Sequence, residues 1–459
     1  MKKLLFILLL LFLFSCERNI SEPDSSDSSL LEEITYADFF NEPELLKLHE
    51  MELFVTQSEW NRLLVILQNN IKSDQYVKAD YIYRHTPGSH TNVDTVKEVG
   101  FRIRGNTTRR LPYKNGEYRR AHFKIKFDKR FDQIEGTPEY EIRKKRTFAD
   151  IEAINLKWGR EGDEADVSQI REIYQYEMMR QAGLYVPKTT STHLIINVGD
   201  ERIDYGIYTA IEPIDDTFLE HYLGDDAGDL YKCLWKGMGP ATLSRASASG
   251  TKVGVGDAEI SYEPSYDLKE GELSNNSLLN FVNQIGSLSG DELKVYLDEN
   301  FDVDRFLRYL AMNVILGMPD DYWGMGNNYY LFFPDKGKIT FIPYDYDHGL
   351  GGGWTPFEAA NANVLTWWDG TGNSYRALMK VFNYGDYVAS YKQYLELFAL
   401  SPNAVFDYSD YKQNYFDQLK EMYSPYLIND TGEGQLFEHY NESSYFSSKI
   451  SSLELQLNE

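Results

Sequence analysis

The chain has 459 residues, a formal net charge of −25 and an aromatic content of 15%. This acidity argues against a partner made of nucleic acid, which binds basic surfaces, and against direct adhesion to anionic lipid. The only two cysteines are Cys16 and Cys233, which excludes a cysteine-rich metal site.

The N-terminus has the pattern of a secretory signal. Two lysines precede an apolar run from Leu4 to Phe14, which is too short to span a bilayer. The following Ser15-Cys16 resembles a lipobox, so we expect residues 1–15 to be a signal peptide and Cys16 to carry lipid. The alternative is an ordinary signal peptide with a chance cysteine. We therefore expect a cell-envelope protein, anchored through lipid at the outer membrane and facing the periplasm or the cell surface.

Residues 16–33 are predicted to be a disordered tether, because they are rich in Ser, Asp and Glu. A domain over 34–459 follows. Its first part reads mainly as strands, predicted at 51–55, 76–84, 96–104, 121–128 and 154–156, with a hairpin of 191–198 and 205–212. A helix capped at Ser58 and a second one capped at Asp166 or Ser168 interrupt them.

The later part reads mainly as helices. Helices are predicted from Asn276, after a capping box at Ser289 and over 302–316, and two strands follow at 329–333 and 338–343. The order predicts an α+β protein with two lobes, a β-rich one over about 48–212 and an α-rich one over about 213–459.

The region most informative about chemistry is 318–353. A loop with Asp320, Asp321, Asn327 and Asn328 follows a helix, and the strand hairpin after it leads back to Asp345 and Asp347. Paired strands lie about 4.8 Å apart, so the hairpin brings the two groups together. Such oxygen donors suit Mg²⁺. The order in the chain, an Asp and then an Asn before a hairpin and a second Asp after it, is also the layout of a protein-kinase active site. A carboxylate-rich turn and a structural Ca²⁺ site remain alternatives.

Six stretches of the chain resemble signatures of the CotH kinase family, the spore coat protein H group. In chain order they are Phe101–Thr108, His122–Phe127, Asp166–Arg171, Tyr205–Glu212, Asp320–Leu331 and Ile342–Asp347. The resemblance implies an atypical protein-kinase-like fold of two lobes. It also implies ATP with Mg²⁺ or Mn²⁺, and phosphorylation of Ser or Thr on an exported protein.

The resemblance also implies roles for individual residues. Asp320 would be the catalytic carboxylate, with Asp321 as the alternate. The remaining roles fall into two sets: metal binding by Asn327 or Asn328 with Asp345 and Asp347, and nucleotide binding by Lys124 or Lys126, Arg104, Asn106 and Glu212. Glu172 or Glu177 could pair with the lysine. The chain lacks the kinase GxGxxG, HRD and DFG motifs, and Tyr344 stands where the family usually has Trp.

A second hypothesis is a binding or structural protein on the same fold. Trp354, Trp367 and Trp368 follow the predicted site, and aromatic platforms suit the rings of a glycan. A third is a scaffold stabilised by Ca²⁺.

Overall fold

The computed structural model describes residues 34–40, 47–91, 93–158, 170–351, 358–367, 376–426 and 442–458. The predicted signal peptide, Cys16 and the tether lie outside these residues, as do Asp166, Ser168, Trp354 and Trp368. In the part of the chain that is described, no helix has the length and apolar character needed to cross a membrane.

The secondary structure mixes strands and helices along the described chain. In chain order the strands are β1 (Leu48–Val55), β2 (Val77–Arg84), β3 (Val93–Ile103), β4 (Tyr113–Lys114), β5 (Glu117–Tyr118), β6 (Phe123–Lys126), β7 (Ala153–Lys157), β8 (Thr189–Val198), β9 (Glu201–Ile211), β10 (Gly228–Cys233), β11 (Val253–Gly254), β12 (Tyr266–Glu270), β13 (Tyr329–Pro334) and β14 (Thr340–Pro343). The helices are α1 (Tyr36–Phe39), α2 (Gln57–Asn69), α3 (Pro138–Lys144), α4 (Arg171–Gln181), α5 (Asp216–Leu223), α6 (Asn276–Ser287), α7 (Gly290–Asn300), α8 (Val303–Leu316), α9 (Tyr322–Met325), α10 (Gly385–Ala399), α11 (Tyr408–Asp410), α12 (Asp417–Tyr423) and α13 (Glu442–Leu457).

Seven strands form a closed barrel in the order β1-β2-β3-β6-β7-β9-β8. Parallel pairing of β1 with β8 closes it, while the other neighbours are antiparallel. Alternating apolar residues such as Phe123, Ile125, Ile154 and Leu156 are buried in its interior. The polar residues between them, Lys124 among them, therefore lie on the other face of the strands.

A second sheet has the order β11-β12-β10-β13-β14. It shares a hydrophobic core with α8, whose residues from Tyr309 to Leu316 are all buried. Helix α8 ends at Gly317, which has a φ of 70°. Only a residue without a side chain fits there, because a Cβ atom would collide with the hydroxyl of Tyr445.

The structure confirms the mixture of strands and helices but differs from the predicted elements in several places. The later part, predicted to be α-rich, also contains a whole five-stranded sheet, of which only β13 and β14 were predicted. Helix α2 is capped by Thr56 instead of Ser58, and Ser289 precedes α7 without forming the capping hydrogen bond. Cys233 is fully buried.

Candidate active site

A buried ammonium group joins three parts of the chain. Lys157, the last residue of β7, lies 3.0 Å from Glu172 Oε2, 2.7 Å from Asp345 Oδ1 and 3.0 Å from Asp347 Oδ2. Glu172 is in the first turn of α4, and the two aspartates follow β14. Residues from the barrel, a helix and the end of the second sheet therefore meet at Lys157.

The electrostatics of this cluster keep the lysine charged. Burial alone would lower the pKa of Lys157, but the three carboxylates raise it well above its ordinary value. Burial raises the pKa of Glu172 to about 7, and Asp345 and Asp347 add to the rise that Lys157 opposes. Three carboxylates thus share one ammonium, and carboxylate oxygens are also the ligands that a divalent cation such as Mg²⁺ takes.

Helix α4 also holds the backbone of the loop that carries the two aspartates. Gln175 Nε2 donates to the carbonyl of Tyr346 at 2.9 Å, and the amide of Asp345 donates to Tyr176 Oη at 2.9 Å. Asp345 itself has a φ of 63°, an uncommon conformation for a residue with a side chain. The helix that supplies Glu172 therefore also orients Asp345.

The loop after α8 places Asp320 at the same site. Its Oδ1 accepts a hydrogen bond from Asn327 Nδ2 at 2.7 Å, and its carbonyl accepts one from Asn328 Nδ2 at 2.9 Å. Burial raises the pKa of Asp320 to about 6, although the hydrogen bond from Asn327 lowers it. The charge of His348 lowers this pKa and the charges of Asp345 and Asp347 raise it, so these three side chains are electrostatic neighbours of Asp320.

The two neighbouring aspartates have different surroundings. Asp321 is buried and caps α9: its Oδ1 accepts from the amide of Gly324 at 2.6 Å, and its Oδ2 accepts from Tyr309 Oη at 2.8 Å. Burial raises the pKa of Asp321 to about 7. Both carboxylate oxygens of Asp321 therefore maintain the local fold, whereas the carboxylate of Asp320 is an electrostatic neighbour of Asp345 and Asp347.

The two asparagines also differ. Asn327 uses both ends of its amide, because Oδ1 accepts from the backbone of Trp235 at 2.6 Å while Nδ2 binds Asp320. Asn328 uses its Nδ2, and its Oδ1 accepts no hydrogen bond from the described residues. Asn328 is consequently the one with an oxygen to offer a cation.

The oxygen donors at this site fit Mg²⁺ or Mn²⁺ in their chemistry. Asp345, Asp347 and Asn328 would hold the ion. Within the described residues, no three Cys, His, Asp or Glu side chains could hold a metal ion by themselves. Mg²⁺ commonly binds through one or two carboxylates together with phosphate oxygens, so such a site needs no cage of protein ligands.

The lysines predicted from sequence lie on the same face of the barrel as Lys157. Lys124 stands opposite Asn155 in the β6–β7 pair, and Asn155 is two residues from Lys157. Lys126 is bound to Asp128 at 3.2 Å and to Glu152 at 3.3 Å. Glu172 meets Lys157 and neither of these two lysines.

The other predicted nucleotide-binding residues are more dispersed. Arg104 Nη2 donates to Tyr344 Oη at 2.5 Å, next to Asp345, whereas Asn106 is exposed in the turn that follows. Glu212 is buried, and it accepts hydrogen bonds from Tyr36 Oη at 2.6 Å and from the amide of Lys188 at 3.0 Å. The structure therefore brings Arg104 to the site, while Glu212 fastens α1 to the end of β9.

Two further residues singled out from the sequence make contacts that stabilise the fold. Glu177 pairs with Arg180 of its own helix at 2.7 Å. Trp367 is buried, with Lys449 over its ring at 5.3 Å, so it offers no exposed platform for a sugar.

Sequence reasoning missed Lys157. The available signal was a lysine that ends an apolar strand shortly before the helix of Glu172. Lys124 and Lys126 were predicted instead, because they lie in a stretch that resembles a signature of the CotH kinase family.

Comparison with known proteins gives a family match over most of the chain. The model of the family described as "CotH kinase protein" matches residues 101–443. Two curated relatives come from Rhizopus delemar: Invasin CotH7 is 23% identical over 194 residues, and Spore coat protein homolog 1 is 24% identical over 196 residues. Each match covers 41% of this chain, and it spans 30% and 29% of the relatives' own lengths.

Two solved structures also show similarity to this chain. The Helicobacter pylori proinflammatory kinase CtkA is 12% identical with a TM-score of 0.23, over 67% of this chain and 86% of its own. A Shewanella oneidensis complex of HipA, HipB and operator DNA contains a chain that is 11% identical with a TM-score of 0.25, over 67% of this chain and 58% of its own.

Proposed function

Because the chain belongs to the CotH kinase family, we propose that it is a kinase-like enzyme that transfers phosphate from ATP to Ser or Thr side chains, with Mg²⁺ or Mn²⁺. The observation that carries the proposal is the ammonium of Lys157 held by Glu172 and Asp345, with Asp320 as an electrostatic neighbour of Asp345. Protein kinases require a strand lysine paired with a helix glutamate, together with an aspartate that binds the metal.

In this proposal Lys157 contacts the phosphates of ATP, and Glu172 keeps its side chain in place. The ion pair is buried, so it restricts the lysine to one orientation. Arg104 and the exposed turn with Asn106 would cover the phosphates, and Lys124 and Lys126 add positive charge on the same face of the barrel.

Asp320 would accept the proton of the acceptor hydroxyl. Its pKa of about 6 leaves it mostly ionised at neutral pH while still basic enough for proton transfer. Asn327 orients it through the hydrogen bond to Oδ1. Asn328, Asp345 and Asp347 would hold the metal ion, whose charge would stabilise the phosphate oxygens when it is bound.

We also propose that the enzyme acts in the cell envelope, anchored by lipid on Cys16, and that its acceptor is an exported protein. The support is the secretory signal with its lipobox-like end. A glycan at the cell surface, on the acceptor protein or beside it, is a second candidate ligand.

The test uses purified protein, labelled ATP, and either Mg²⁺ or Mn²⁺, with the protein itself and casein as acceptors. We expect metal-dependent transfer that is lost in Lys157→Met, Asp320→Asn and Asp345→Asn. Lys78→Met is the matched control, because Lys78 is a barrel lysine paired with Asp132 outside this site. A wild type with neither metal-dependent ATP binding nor transfer would contradict the proposal.

A further inference from the structure

A second lysine approaches the site from the opposite side. Lys232, in β10, stands opposite Tyr330 of β13. Its ammonium lies 4.5 Å from the ring centre of Tyr344 and 5.6 Å from that of Tyr330. The hydroxyl of Tyr344 accepts the hydrogen bond from Arg104, so a cation from the barrel and a cation from the second sheet meet at one tyrosine.

Lys232 lacks the carboxylate partner that its neighbours have. Lys236 and Lys269 are 3.3 Å and 2.7 Å from Asp267. Among the described residues no carboxylate forms an ion pair with Lys232. Its pKa is lowered well below the ordinary value by burial and by the nearby charge of Arg104. Asp345 attracts both Lys232 and Arg104, but no carboxylate of the described residues is paired directly with Lys232. Two buried cations held together in this way cost free energy, and an anionic ligand between them would reduce that cost.

The position of Lys232 indicates which anion it meets. Tyr344 immediately precedes Asp345, so Lys232 lies beside the residue that would bind the metal. Lys157 is already shared by three carboxylates. The loop from Met318 to Asn328 contains no lysine or arginine. A phosphoryl group in transfer carries charge on three oxygens, which needs positive charge close to the catalytic base.

We propose that Lys232, with Arg104, binds the terminal phosphate of the nucleoside triphosphate. This inference rests on the proposed kinase function and names the residue that distinguishes a triphosphate from a diphosphate. In the reaction, the acceptor oxygen forms a bond to the γ-phosphorus as the bond to the β,γ-bridging oxygen breaks. The hydroxyl proton goes to Asp320, and ADP leaves with the electron pair. Lys232 holds the γ-oxygens and exchanges no proton.

The experiment compares the binding of AMP, ADP and a non-hydrolysable ATP analogue to the full-length protein, with Mg²⁺, by calorimetry. We expect the wild type to bind the triphosphate more tightly than ADP. Lys232→Met should weaken triphosphate binding by about tenfold or more, the effect of one charge-assisted contact, and leave AMP binding unchanged. Lys232→Arg should retain most of the preference, and Lys269→Met, which removes a paired lysine of the same sheet, should retain all of it.

Each outcome separates this inference from the function on which it rests. Failure of the wild type to bind any of the three nucleotides overturns both. Nucleotide binding with an unchanged triphosphate preference in Lys232→Met overturns the role of Lys232 and leaves the kinase proposal standing. A raised KM for the acceptor without a change in nucleotide preference would overturn it as well, since Lys232 would then bind the acceptor. Melting temperatures of the variants identify any that do not fold.

Discussion

Lys157 Nζ lies 2.7 Å from Asp345 Oδ1, and this contact links the end of a barrel strand to the loop after the last strand of the second sheet. In the proposed reaction Lys157 contacts the phosphates of ATP, and Asp345 binds the metal ion that accompanies them. The contact therefore places the lysine proposed to bind the phosphates beside an aspartate proposed to bind their metal ion.

Replacement of Lys157 by Met should destabilise the protein and change its response to metal ions. The substitution leaves Glu172, Asp345 and Asp347 without their common cation, and breaking a buried ion pair costs about 3–5 kcal/mol in the free energy of unfolding. We expect Mg²⁺ or Mn²⁺ alone to raise the melting temperature of this variant more than that of the wild type. Equal shifts in both proteins would show that the three carboxylates do not form a cation site.

Asp320 and Asp321 should respond in opposite ways to substitution. Asp321→Ala loses the cap of α9 and the bond from Tyr309, so we expect a loss of about 1–3 kcal/mol in the free energy of unfolding. Asp320→Ala should leave the free energy of unfolding near that of the wild type and abolish transfer. Urea unfolding and labelled-ATP assays on both variants check this. A stable Asp321→Ala variant without activity would reverse the assignment.

The ion pairs of His193 should make stability depend on pH. His193 Nε2 is 2.8 Å from Asp204 and its Nδ1 is 3.5 Å from Glu50, while the Tyr426 ring packs against it and Arg84 is paired with Glu50. Burial opposes charging of His193, but the two carboxylates raise its pKa above the ordinary 6.5.

A raised pKa means that the stabilisation is complete below 6.5 and is lost as the pH rises through the folded-state value. The pKa values of Glu50 and Asp204 are lowered, because their hydrogen bonds and charged neighbours outweigh burial, so their contribution is lost only in acid. Thermal unfolding of His193→Gln across pH 5 to about 9 should lack the alkaline decline. An identical decline in wild type and variant would assign it to other groups.

Gly317→Ala should destabilise the turn that leads into Asp320. The new methyl group would meet both a positive φ and the hydroxyl of Tyr445, and strain of this kind costs about 1–3 kcal/mol. Gly385→Ala is the control, because Gly385 starts a helix and its Cβ position is open. We expect the control to match or exceed the wild type in melting temperature. Equal melting temperatures for wild type and Gly317→Ala would show that the turn adapts.

The sequence predicts those parts of the site that are local along the chain. The end of α8, the two strands β13 and β14, and the return of Asp345 towards the asparagines all follow from patterns within forty residues of one another. Turn residues and the alternation of apolar and polar side chains determine these elements, and both are visible in the sequence.

Other features depend on pairing between distant segments. The position at which α4 packs against the barrel decides that Glu172 pairs with Lys157 and not with Lys124. The sequence does not show this position, because Lys124, Lys126 and Lys157 all lie on one face of the strands. Asp321 cannot be distinguished from Asp320 without knowing that a four-residue helix starts at Tyr322. Lys232 lies in β10, which the pattern of apolar and polar residues did not predict as a strand.

The parallel closure of the barrel has a consequence for how the chain folds. His49 of β1 and Thr192 of β8 are 143 positions apart, so one edge of β1 stays unpaired until almost two hundred residues are available. Long-range pairing of this kind is slow to form, and an open strand edge is prone to associate with other chains. During folding, this edge is therefore exposed for longer than the local hairpins need to form, and chaperones are expected to bind it during that interval.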